Sequence, residues 1–211
     1  MAKKFELTAE FVTNIFGNKL FRIKALMAFG DVKEGELGGY VEKEENLDHD
    51  GDAWVSGNAQ VSGDARVYGD AWVSGNARVY GNAEVYGDAR VYGNAWVSGD
   101  AQVYGNAEVY GDARVYGNAW VSGDARVYGN AEYTTIKGFG RECRTTTFFR
   151  LKNGEVGVRC GCFYGTIEQF REKVQETHRD SKYAKEYLMI ADLMELHFER
   201  EEKRGGGVDG D

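Results

Sequence analysis

Residues 51–86 read GDAWVSGNAQVSGDARVYGDAWVSGNARVYGNAEVY, and the same six-residue phrase continues to residue 134. Fourteen hexads repeat one rule, which the last (GNAEYT, 129–134) keeps only in its first four letters: Gly, then Asp or Asn, Ala, a variable residue, Val, then Ser or Tyr. A short fixed period is the signature of a solenoid, in which each unit buries its apolar face against its neighbours. Within a hexad, Ala-x-Val-[Ser/Tyr] alternates with period two, so it reads as a short strand. Ala and Val then point inward, and the variable residue and the Ser or Tyr point outward. Gly-[Asp/Asn] is the corner, because these residues tolerate the backbone angles of a sharp turn.

The rest of the chain sets bounds. The 211 residues suffice for one or two compact units, and the net charge of −8 argues against whole-molecule binding to nucleic acid or membrane. No apolar run is long enough to span a bilayer, and MAKKFELTAEF lacks the apolar core of a secretion signal. Three cysteines imply no disulfide framework. The expectation is a cytoplasmic protein. The chain divides into N-terminal strands and a capping coil (1–50), the array (51–134), an α+β recognition or oligomerisation domain (135–203) and a flexible tail (204–211). In the first part, GNKLFRIKAL reads as turn then strand, and LGGYVEKEENL as an imperfect first coil.

The array resembles the hexapeptide-repeat left-handed β-helix, and the whole chain resembles phage- and prophage-encoded hexapeptide-repeat proteins. The first resemblance implies a mainly β fold: a left-handed parallel β-helix, a triangular prism with three hexads per coil. A small α+β domain, a β-hairpin plus two helices, is expected to follow. Related β-helices commonly form trimers, which makes a homotrimer the expected assembly.

Three hexads per coil fix the outward columns. One stacks Trp54, Trp72, Arg90, Glu108 and Arg126; a second Gln60, Arg78, Trp96, Arg114 and Glu132; a third Arg66, Glu84, Gln102 and Trp120. Unlike charges become neighbours, and Arg78 and Arg114 bracket Trp96 as a cation–π stack. Register-setting surface ladders explain most of this. Where the variable residue is Trp (Trp54, Trp72, Trp96, Trp120), the outward residue two later is Ser (Ser56, Ser74, Ser98, Ser122). One large aromatic per strand keeps the surface even. The exposed column Tyr92, Tyr110, Tyr128 is the candidate oligomer contact.

Many proteins of the resembled fold are acyltransferases with a catalytic His and extruded loops, but the array has neither. His49 precedes it, and His178 and His197 follow in helical sequence. No catalytic residue is assigned and no cofactor is expected. Corner columns such as Asp52, Asp70, Asp88, Asn106, Asp124 could imitate DNA phosphates, though Asp and Asn are also the ordinary corner residues.

In RTTTFFRLKNGEVGVRCGCF, Asn153-Gly154 signals a hairpin with a two-residue turn. That register pairs Arg150 with Gly157, Phe149 with Val158 and Phe148 with Arg159. It puts Thr145, Thr147, Phe149, Leu151, Val156, Val158, Cys160 and Cys162 on one apolar face. Cys160 and Cys162 are then core residues rather than metal ligands. The opposite, cationic face carries the expected site for a small anionic ligand: Arg150, Arg159, Phe148, Thr146, Lys152 and Arg144. Beyond it, Thr166 with Gln169 forms a capping box, and a second helix begins near Asp180 or Ser181. Its face is marked by Tyr183, Tyr187, Ile190, Met194 and His197.

These residues and the phage-type resemblance point to a non-enzymatic binding protein. It would serve in counter-defence, sequestering a nucleotide signal or blocking a host defence protein in an infected or lysogenic bacterium. The alternatives are a virion shaft, an acyltransferase and an acidic DNA mimic.

Overall fold

The computed structural model describes residues 3–199. β1 (Phe5–Thr13), β2 (Lys19–Ala25) and β3 (Leu37–Val41) form an antiparallel cap, and β3 then pairs in parallel with the array. Two-residue strands follow from β4 (Trp54–Val55) to β16 (Arg126–Val127), one per hexad. Each pairs in parallel with the strand one coil on: Arg90 lies between Trp72 and Glu108, and Trp96 between Arg78 and Arg114. The result is a three-faced parallel β-solenoid of about five turns.

The interior is as the hexad dictates. Ala95, Val97, Ala101, Val103 and their equivalents are completely buried in one continuous core. At the corners Gly69 has φ +70°, and a Cβ there would come within 3.0 Å of the Gly87 amide one coil above. Backbone handedness and the closeness of the next coil therefore both require glycine. The outer columns keep the expected pairing through Arg126, Arg114 and Trp120, but Trp54 is a correction: the cap covers it, and it is fully buried against Phe29. Arg78 and Arg114 sit 5.1 and 5.0 Å from the Trp96 ring, and Arg126 lies 3.6 Å from Glu108. Tyr68, Tyr86 and Tyr104 stack at 4.8 Å, close to the ~4.8 Å between strands. Glu132 is a correction: it leaves its column in a 3-10 turn (Asn130–Glu132) and pairs with Arg150 instead.

A parallel solenoid is polar. Array N–H groups donate to carbonyls one coil later, for example Trp72 to Ala89, so the first coil is left with free carbonyls and the last with free N–H groups. The cap supplies donors. Lys4 Nζ donates to the carbonyls of Gly51 (3.1 Å) and Ala53 (3.0 Å), and Asn46 Nδ2 to those of Gly63 (3.0 Å) and Ala65 (2.8 Å). Burial pushes the Lys4 ammonium below the usual lysine range, opposed by Asp48 and its acidic neighbours. The far end meets acceptors. Arg114 N–H donates to Asn130 Oδ1 and Trp120 N–H to Thr147 Oγ1, each at 3.0 Å.

The C-terminal head is a four-stranded antiparallel sheet, β17 (Tyr133–Phe139), β18 (Arg144–Arg150), β19 (Val156–Cys160) and β20 (Phe163–Thr166). Helices α1 (Ile167–His178) and α2 (Lys182–Phe198) follow. Thr166 and Gln169 make the capping box, and Ser181 caps α2. The buried face of α2 runs Ala184, Tyr187, Ile190, Ala191, Met194 and Phe198; Tyr183 and His197 lie outside it. The tail expected at 204–211 lies outside the described residues.

The hairpin register differs from the expectation by one residue. Phe148 pairs with Val158, Phe149 with Gly157 and Arg150 with Val156. The loop holds three residues, Lys152, Asn153 and Gly154, closed by the Leu151 amide on the Glu155 carbonyl at 2.9 Å. Gly154 takes φ +91°, the left-handed third position of a three-residue hairpin. The solenoid favours this longer loop: Lys152 N–H donates to the Asp124 carbonyl, and Leu151 bridges Ala125. Because side chains alternate, the slip re-sorts both faces. Phe149 joins the solenoid core, Phe148 joins a second core under the helices, and both are fully buried. Gly157 faces Phe149, whose ring occupies the space a Cβ would need.

Candidate functional site

The re-sorted sheet separates the residues expected to hold an anion. Arg150 lies on the helix side, bound to Glu132 at 3.3 Å, to the Gly154 carbonyl at 2.9 Å and to the Phe198 carbonyl. It is a structural clasp between sheet, array end and α2. Arg159 lies on the solenoid side, its guanidinium 5.2 Å from the Trp120 ring and 5.8 Å from Tyr104. Phe148 is core, against Phe170, and Thr146 is buried with its hydroxyl on Cys160 Sγ at 3.1 Å. Lys152 sits in the exposed hairpin loop. The cationic hairpin face drawn from the two-residue turn is thus not assembled; of its six members only Arg144 lines the cleft described next.

That cleft, of about 260 Å³, opens between the sheet end and the helices. Its floor is apolar: Phe163, Phe170, Val174 and Tyr187, with Cys160 beside them. Its rim carries Arg141, Arg144, Lys173 and His178, against the single carboxylate of Glu142. Three elements deliver the cations. Arg141 comes from the turn between β17 and β18, and Arg144 opens β18 and crosses over Gly161. Phe170, Lys173, Val174, Thr177 and His178 recur at spacings of three and four along α1, so one helix face forms a whole wall. Arg141 approaches Glu142 only to 3.9 Å and Lys173 Nζ lies 2.8 Å from Glu176 on α1; both pairs are well exposed, so they do little to neutralise the rim.

Tyr187 anchors the floor. Its hydroxyl donates to the Phe139 carbonyl at 3.4 Å and lies 4.0 Å from Cys160 Sγ. Burial, with the Cys160 sulfur next, pushes its phenol well above the ordinary tyrosine range, so it stays a neutral donor. Gly140 lies against the Tyr187 hydroxyl, which leaves no room for a side chain there. Cys162 is exposed at the β19–β20 turn, and Cys143 at the turn before β18. Among the described residues no group of three His, Cys, Asp or Glu could hold a metal ion. No described helix is long and apolar enough to cross a membrane.

Lys173 and His178 were missed as site residues because they lie on a helix whose sequence signals only a cap and a core stripe. The one available signal was their spacing relative to Phe170 and Val174.

The tyrosine column keeps its place on the prism. Tyr92 and Tyr110 are half-buried and stacked at 5.0 Å, with the Tyr92 hydroxyl on Glu108 at 3.2 Å. Tyr128 ends the column and is 62% exposed.

Residues 59–75, 71–85, 83–99 and 107–123 match the family model described as the YdcK beta-solenoid repeat. The array carries a β-solenoid repeat. All four matched segments of this repeat lie within the shaft, and the head with its cleft lies outside them. No curated protein matches the chain.

Proposed function

We propose that this is a non-enzymatic binding protein in which the β-solenoid is a rigid spacer and the C-terminal head captures a small anionic ligand. The observation that carries this reading is the cleft: Arg141, Arg144, Lys173 and His178 ring an apolar, aromatic floor. Guanidinium and ammonium groups supply charge-assisted bonds to a phosphate or carboxylate. Phe163, backed by the buried Phe170 at 5.5 Å, supplies a surface for a flat apolar moiety attached to it. A nucleotide combines both features. In the setting suggested by the phage-type resemblance, the head would withdraw a nucleotide signal from a host defence pathway.

Calorimetric titration with inorganic phosphate, cyclic mononucleotides and ADP-ribose tests this. Charge-assisted bonds are worth about 1.5–3 kcal/mol each. Arg144→Ala combined with Lys173→Ala should therefore weaken binding by roughly a hundredfold or more. Both side chains are exposed, so the melting temperature should hold. A wild-type protein that binds none of these compounds defeats the proposal and favours occlusion of a host protein. Binding that the double variant leaves unchanged moves the site out of the cleft.

A further inference from the structure

Helix α2 has two apolar faces, and only one is used within the chain. Opposite the buried Tyr187, Ile190 and Met194, the side chains of Met189, Leu193 and Leu196 are 71%, 55% and 65% exposed. Their spacing of four and three makes one continuous stripe. Helix α1 does not cover it. Arg171 of α1 binds Asp192 and Glu195 along one flank, at 2.6 Å each, and leaves the stripe open. Toward its C-terminal end the stripe continues through exposed His197 to Tyr116 on the prism, which is 63% exposed and shares a shallow pocket with His197.

We infer that this stripe is the seam between two copies of the chain, with α2 packed antiparallel against α2 of a second copy about a two-fold axis. Two observations select this occupant. Residues 200–211, REEKRGGGVDGD, have Val208 as their one aliphatic residue, so this segment offers no apolar cover. The charges along the helix are also self-complementary. Lys182 pairs with Glu186 and Arg171 holds Asp192 and Glu195, so Lys185 before the stripe and Glu199 at its end are the charges the helix presents to a second copy. This is the reverse of what the helix dipole favours, so it is not explained by the stability of the isolated helix. In an antiparallel crossing centred between Met189 and Leu196, Met189 of each copy meets Leu196 of the other. Lys185 of each copy then approaches Glu199 of the other. A two-fold interface needs such self-complementarity. A stripe of three exposed apolar side chains is far short of the roughly 20–30 residues a side of a standard interface, so the dimer should be concentration-dependent.

The seam faces away from Tyr187 and the cleft, so this inference stands or falls apart from the ligand proposal. Sedimentation equilibrium on the full chain is the test. The average mass should rise with concentration from 23.5 kDa toward twice that value. Leu193→Glu with Leu196→Glu should hold it at the monomer mass, with unchanged melting temperature and unchanged nucleotide titration. Lys185→Glu should weaken the dimer, and adding Glu199→Lys should restore it, which non-specific apolar association would not do. A wild type that stays monomeric to its solubility limit overturns the inference. So does a trimer, or an oligomer indifferent to the Leu193 and Leu196 substitutions; that last result would return the seam to the Tyr92, Tyr110, Tyr128 column.

Discussion

The shaft and the head are both built of short strands, but they hold their registers in different ways. In the shaft every rung meets its own copy 18 residues away, as in the Asn82–Asp100 corner pair. A slip at one rung would have to be repeated at every other, so the repeat protects itself. In the head, β18 and β19 share one turn, and one residue more or less exchanges both faces of the sheet. What fixes that turn is not local. Asn153-Gly154 serves a two- or a three-residue loop, and the Asp124 and Ala125 contacts at the prism end select the longer one. The comparison teaches that a repeated register is legible at any single unit. A register set once is legible only with its tertiary partner in view.

The largest effect should come from breaking the shaft from inside. Val97 is fully buried among Ala and Val, so Val97→Asp places a carboxylate where nothing can pair with it and should cost several kcal/mol. Arg90→Ala, on the outer column, should cost less than about 1 kcal/mol. Thermal melts that rank these two variants equal would contradict the inward–outward assignment.

The head gives the next effect and sharpens the contrast. Phe148 and Phe149 are adjacent in sequence and both fully buried, but they serve different cores. Phe148→Ala and Phe149→Ala should each cost about 3–5 kcal/mol. Hydrogen exchange should separate them: Phe148→Ala loosens α1 and α2, and Phe149→Ala loosens the last coil. A mild Phe148→Ala would restore the two-residue turn and its polar face.

The smallest effect is alkaline. Tyr68 in the shaft ladder and Tyr133 at the junction are both pushed up to about 12 from 10.0, chiefly by burial. The unfolded chain gives up these protons first. The stability that depends on them is therefore complete below pH 10 and drains away between pH 10 and 12. Tyrosinate absorbance followed with circular dichroism should show these two groups ionising as β structure is lost. Ionisation of every tyrosine near pH 10 with the fold intact would contradict it.

Much of the shaft is visible in its letters. The columns, the Trp96 bracket and the buried Ala and Val follow from the hexad, and the helix caps at Thr166 and Ser181 follow from local chemistry. The cleft is different. Arg141, Arg144 and Lys173 come from a turn, a strand and a helix, and nothing local says that they meet. Arg150 and Arg159 look equivalent in the sequence, but the one-residue register change sends them to opposite sides of the sheet. Lys4 and Asn46 close the solenoid's carbonyl end, yet neither belongs to the repeat that needs them.

The central claim is a division of labour: the shaft supports and the head binds. Hydrogen exchange of the wild type, with and without the nucleotide that titrates most tightly, tests it most directly. Added protection is expected at 139–144, 160–163 and 170–178, with residues 51–128 unchanged. Added protection along the array, with the cleft segments unchanged, would contradict it.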